Sequence, residues 1–270
     1  MTTIYAPSLP AGRVSLKGLL RSEWLKLRTV RSTMWTLGST VFIGVAASVI
    51  AMAVTRAHWT TESPAARAAF DPTEVSLVGA YLGGSLLLGV LGILVVSGEY
   101  ATGTIRATLA AEPRRPMVIA AKVLVFAVVS LVVAEVTSFA SFLIGQALLT
   151  SPAKHAALSS PGALRAVAGT GLFLCVVGLF ALGLAAVVRH TAGAIGAYVF
   201  VLLVLPVIVS GLPSSIGDQI ARLLPLSIGS VMTNNSVPNA FGPWTEFAIL
   251  CGYAVVTIAA GTVLLVRRDA

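Results

Sequence analysis

The 270 residues are 57% hydrophobic and only 10% charged, with a formal net charge of +8 and a mean hydropathy of +0.94. Soluble domains carry about 25% charged residues, so this composition excludes an ordinary water-soluble enzyme or binding module and points to a polytopic membrane protein. Cys175 and Cys251 both lie inside apolar runs and the three histidines are isolated, which leaves neither a disulfide framework nor a metal-ligand motif.

The first element in chain order is "SLKGLLRSEWLKLRTVRSTMW", residues 15–35. Leu16, Leu19, Leu20, Trp24, Leu27, Val30 and Met34 recur every three or four residues and form one apolar stripe of a helix. Arg21 and Arg28 point away from the stripe, with Lys17 and Arg31 at its edge. Such a basic amphipathic helix lies along a membrane surface and is attracted to anionic lipid headgroups. Glu23 breaks the pattern from inside the stripe. It needs a partner, either Lys26 one turn on or a basic residue from a neighbouring loop. The helix serves as a topology anchor or also docks a cytosolic partner. The basic stretch runs into a span of full length without an A-x-A-like cleavage site, so the first span is expected to be retained.

Six membrane helices follow, at 34–54, 76–97, 117–149, 164–188, 193–211 and 246–266. Each is long enough to cross a hydrocarbon layer ~30 Å thick, and helices satisfy their own backbone in lipid. The third run exceeds a simple span and must tilt or project beyond the membrane. Gly79, Gly83, Gly84, Gly89 and Gly92 give the second span a small-residue face, for packing within the subunit or between subunits. Pro206 is expected to kink the fifth. Lysines and arginines set the orientation. Arg13, Lys17, Arg21, Lys26, Arg28, Arg31, Arg106, Arg114, Arg115, Lys122, Arg189, Arg267 and Arg268 fall on one side. Arg56, Arg67, Lys154, Arg165 and Arg222 fall on the other. The richer side, with both termini, is expected to be cytoplasmic in the cell (plasma) membrane. This bias accounts for the net charge without nucleic acid.

Between the second and third spans stands "EYATGTIRATLAAEPRRP", residues 99–116. Gly103 breaks the chain, Thr104 can cap, Ile105 and Leu109 make an i, i+4 pair, and Pro113 stops a short helix. A passive connector needs only about 2–8 polar residues; this one is a charged helix shaped to fit a groove. Within the third span, Glu135 is the charge nearest the middle of any span. Packing, an interhelical hydrogen bond, or a polar path shared with Gln146 are all open to it. Residues 212–245 form a long outer connection whose helical pattern, Ile216, Ile220 and Leu223/Leu224, is cut by Pro225.

The pattern Glu99-x-x-x-Gly103-Thr104-Ile105-Arg106, followed by Leu109, Pro113, Arg115 and Lys122, resembles the type-two permease subunits of ATP-binding-cassette (ABC) exporters, and actinobacterial members in composition. The "SEWLKLRTVRSTMW" segment, with Glu23, Trp24, Lys26, Arg28 and Arg31, is similar to the interfacial segment of the same family. The resemblance covers essentially the whole chain. It implies an all-α fold: a cytoplasmic segment at 1–33 with the interfacial helix, a six-span permease domain at 34–266, and a cytoplasmic tail at 267–270. Residues 99 to 115 would be the coupling helix that sits in a cleft of the ATPase, and short outer helices between spans five and six would often dip into the membrane. It also implies two ABC ATPase subunits that hold ATP and Mg, a second permease copy or paralogue, and an amphipathic or hydrophobic substrate. The dipeptide Gly-Lys occurs nowhere, so the chain has no Walker A loop and is expected not to be an enzyme. A stand-alone secondary carrier or channel, and a non-transporting scaffold or sensor subunit, are the rival readings.

Overall fold

The computed structural model describes residues 15–111, 114–149, 155–234 and 241–267. Pro113 lies outside these, as do Arg13, Lys154 and Arg268. The described residues form helices and connections, with no strands among them. α1 (Leu16–Thr29) is the basic amphipathic helix expected before the first span. Its N-cap is Ser15, whose hydroxyl accepts from the Gly18 amide at 3.2 Å. It ends one residue before the first span because Val30 is extended (φ −76°, ψ 111°). The apolar stripe that looked continuous to Met34 is therefore divided between two helices.

Among the described residues, six helices have the length and hydropathy of membrane spans: α2 (Arg31–His58), α4 (Pro72–Ala101), α6 (Arg115–Leu148), α7 (Ala163–Val188), α8 (Thr191–Ser210) and α11 (Pro243–Arg267). Most extend past the expected ends by a turn or less. The short helix α3 (Pro64–Ala69) precedes α4 and was not evident in the sequence. α5 (Thr104–Ala111) connects α4 to α6, and α9 (Ser214–Ala221) and α10 (Pro225–Thr233) lie between α8 and α11.

α7 is the hub, packing against α4, α6, α8, α10 and α11. Its Phe173, Leu174, Val177 and Leu182 are fully buried with Leu88, Phe126, Tyr198, Ile228 and Leu250 from the surrounding helices. The glycines of α4 serve this packing inside one subunit: Gly79 lies against the α2 backbone at Gly44 and Ser48, Gly89 against the Tyr198 ring, and Gly92 against the Gly178 carbonyl. Tyr198 Oη donates to the Ser85 carbonyl at 2.6 Å. Both α4 and α8 widen into one π-helical turn, at Ala80–Gly84 and Phe200–Val204. The second stands immediately before Pro206, where the ring removes a backbone donor and the helix must rearrange.

α6 is 34 residues long, about 50 Å at 1.5 Å per residue. Its first turns lie beside α1, where Val118 and Ala121 pack on Leu19. Trp59 is buried edge-on against Phe70, with ring centroids 5.0 Å apart. The turn before α3 folds Phe70 back onto it.

α10 enters the bundle. Ile228 and Met232 are fully buried, and Gly229 lies against Phe173 and Tyr81. Tyr81 Oη donates to the Leu226 carbonyl. Asn234 fixes the far end: its amide donates to Glu74 Oε2 at 2.9 Å and its carbonyl accepts from Arg165 at 3.0 Å.

Candidate functional site

The helix α5 begins after Gly103, whose φ of +70° lies in the left-handed region that glycine enters without a Cβ penalty. This is the backbone reversal that separates α5 from α4. Thr104 is the first helical residue, and its hydroxyl meets the Thr102 hydroxyl at 2.9 Å rather than capping an amide. Ile105 is buried and Leu109 half-buried; Leu109 joins Leu19, Met117, Val118 and Ala121. Arg106 faces solvent. The helix thus has one face fixed to α1 and α6 and one face free.

Four charged side chains meet where this unit joins the spans. Lys122 Nζ donates to Glu23 Oε2 at 2.6 Å and to Glu99 Oε1 at 2.9 Å. Lys26 Nζ donates to Glu23 Oε1 at 2.6 Å and to the same Glu99 oxygen at 2.7 Å. Glu23, Glu99 and Lys122 are buried, while the Lys26 side chain is 40% exposed. Glu23 stands between buried Leu19 and Leu27 on the packed face of α1, which explains why a carboxylate occupies that stripe. The quartet joins α1, the end of α4 and the start of α6 with no net charge. Buried ions are tolerated when they are paired and hydrogen-bonded in this way.

Burial opposes the charge on Lys26. The hydrogen bonds from Glu23 and Glu99 and their negative charges outweigh it, and the pKa of Lys26 is raised. The Lys26 contribution is therefore complete below the ordinary lysine range and is lost only as pH rises above it.

A cavity of about 430 Å³ lies against the quartet. Leu27, Val30, Leu91, Leu94 and Val95 form its apolar wall, and all four charged residues line it. Nearby, Arg189 caps α7 in the left-handed conformation (φ 60°) and places its guanidinium 5.6 Å from the centre of the Tyr100 ring, a cation–π approach.

The other expected site residues are placed apart. Trp24, Arg28 and Arg31 are exposed on the outer side of the α1–α2 junction. Arg115 donates to the Leu265 carbonyl at 2.7 Å and fastens α6 to the last span. Glu135 is half-buried against Gly171, where a Cβ would collide with its carboxylate. Gln146, about 16 Å further along α6, is a bridge: its amide donates to the Pro72 carbonyl at 2.8 Å, and its oxygen accepts from the Ala156 amide at 2.8 Å. Lys26 was an expected partner of Glu23 and is found at 2.6 Å; the joining of that pair to Glu99 and Lys122 was not expected. Glu246 was also missed.

The sequence matches the family described as ABC-2 family transporter protein over residues 19–205. No curated protein matches the chain. The matched region runs from the first turns of α1 into α8 and contains α5 and the whole quartet. With six apolar helices and a match over more than half of its length, the chain belongs to the ABC-2 transporter family, as a membrane permease of an ABC transporter.

Proposed function

We propose that the protein is the permease subunit of an ABC exporter in the cell membrane, with both termini and α5 on the cytoplasmic side, and that α5 is its coupling helix. Two separate ATPase subunits hold ATP and Mg²⁺, and a second permease copy or a paralogue completes the path. The cargo is amphipathic or hydrophobic, in keeping with a bundle whose helices carry few charges. The excess of lysine and arginine on the α1 and α5 side supports the orientation, and the basic α1 suits an anionic inner leaflet.

One observation carries the coupling assignment. α5 has a free polar face bearing Arg106, while its root is joined through Glu99 to α1 and α6. A push on α5 therefore reaches three elements as one body, which suits a rigid shift between inward- and outward-open states. The burial of α10 among α4, α7 and α11 supports its role as a plug on the opposite side.

Arg106→Glu is the direct test, because the side chain is exposed and outside the quartet. The variant is expected to insert and fold normally and to lose an ABC ATPase from its affinity purification, read by mass spectrometry. A cysteine at position 106 should react with a membrane-impermeant thiol reagent only after the cytoplasmic side is opened. Unchanged ATPase recovery, or labelling in intact cells, would refute the assignment.

A further inference from the structure

The outer end of the molecule contains a second polar site that plays no part in coupling. Glu246, in the first turn of α11, is 1% exposed. Neither carboxylate oxygen has a hydrogen-bond partner among the described residues. Buried carboxylates are almost always bonded, so this one needs a physical reason. It lines a cavity of about 260 Å³ between α9, α10 and α11, together with Asp218, Arg222, Ser227 and Ser230.

The lining is rich in acceptors. Asp218 and Glu246 offer four carboxylate oxygens. Ser230 has its proton committed to the Ser227 carbonyl at 2.8 Å, which leaves its oxygen free to accept. Arg222 forms no ion pair with either carboxylate within 4.0 Å among the described residues. By formal count, two carboxylates and one guanidinium leave one negative charge for a bound group to balance. The volume lies below the ~300 Å³ typical of drug-sized pockets, so the site suits a group of a few heavy atoms. A metal ion fits poorly, because no cluster of three His, Cys, Asp or Glu side chains occurs among the described residues. Trp244, two residues before Glu246, is exposed, as are Ile216 and Ile220 on α9 and Leu223 just after it, which suits a region where aromatic rings meet lipid headgroups.

We propose that the cavity between α9, α10 and α11 binds a single primary ammonium group, held by Glu246 and assisted by Asp218. The group comes from a soluble amine or from an aminophospholipid headgroup of the adjacent leaflet. Bound there, it joins α9 and α10 to α11 and stabilises the seated position of α10.

The full chain in phosphatidylglycerol nanodiscs provides the test, with no ATPase required. Its thermal midpoint is followed against ethanolamine, against ethylene glycol as the neutral counterpart, and against sodium chloride. A parallel preparation replaces part of the lipid with phosphatidylethanolamine. Ethanolamine is expected to raise the midpoint saturably, with apparent affinity roughly tenfold or more weaker in Glu246→Gln and a few-fold weaker in Asp218→Asn. Asp218 is on an exposed helix, so its variant remains informative if Glu246→Gln folds poorly. A rise with phosphatidylethanolamine alone that removes the response to free amine assigns the site to the headgroup; a response to free amine with no lipid effect assigns it to a soluble ligand. An equal response to ethylene glycol or sodium, a response retained in both variants, or no response in any preparation overturns the proposal.

Discussion

Lys122→Met is expected to destabilise the protein by about 3–5 kcal/mol, because removing one partner of a buried ion pair leaves a charge without compensation. Lys122 holds Glu23 and Glu99 together, at 2.6 and 2.9 Å, and it is 2% exposed. Without it, two buried carboxylates face each other with only the half-exposed Lys26 between them. Lys26→Met should have a clearly smaller effect, since water reaches that ammonium. The measurement is the unfolding free energy in mixed micelles titrated with a denaturing detergent. In a double-mutant cycle, Lys122→Met with Glu23→Gln should destabilise by less than the sum of the single variants, which is the signature of a direct interaction. A Lys122→Met protein within about 1 kcal/mol of the parent would show that the quartet carries little of the stability.

The second large effect is expected at Gly79. A Cβ at this position would overlap the α2 backbone at Gly44 and Ser48, and backbone cannot yield as a side-chain tip can. Gly79→Ala must force the first two spans apart, at about 1–3 kcal/mol or more for overpacking. Gly83→Ala is the matched control. Its Cβ would meet only Ile43 Cγ2 at 3.4 Å, an ordinary contact, and alanine favours helix over glycine by about 1 kcal/mol. That variant should be neutral or slightly more stable in the same titration. Equal effects from both substitutions would show that close packing of α2 on α4 is not the reason for Gly79.

Much of the architecture was legible because the residues that build it act locally. The spacing of Leu16, Leu19, Leu20, Trp24 and Leu27 announces α1, and Gly103 announces the reversal before α5. Pro206 marks the irregular fifth span. The features that escaped depend on distant chain. Val30 breaks the stripe by taking an extended conformation between α1 and α2, and nothing in its neighbours signals that change. The π-helical turn at Ala80–Gly84 sits where α4 presses its glycines on α2, a contact made only after both helices exist. Glu23 and Lys122 are 99 residues apart, so each charge could be flagged alone while their meeting could not. Glu246 is an acid in the first turn of a helix with no local mark to single it out, and its surroundings are set by the placement of α9 and α10.

The quartet has a consequence for energetics across the bilayer. Each elementary charge that traverses the electrical field exchanges about 2.3 kcal/mol per 100 mV, so a joint bearing unbalanced charge would be pushed or braked by the cell's voltage at every cycle. Two ammonium groups and two carboxylates moving together feel almost no such force. In the coupling role proposed above, the quartet itself should therefore add almost no voltage dependence to turnover, read as a potassium diffusion potential is imposed across proteoliposomes.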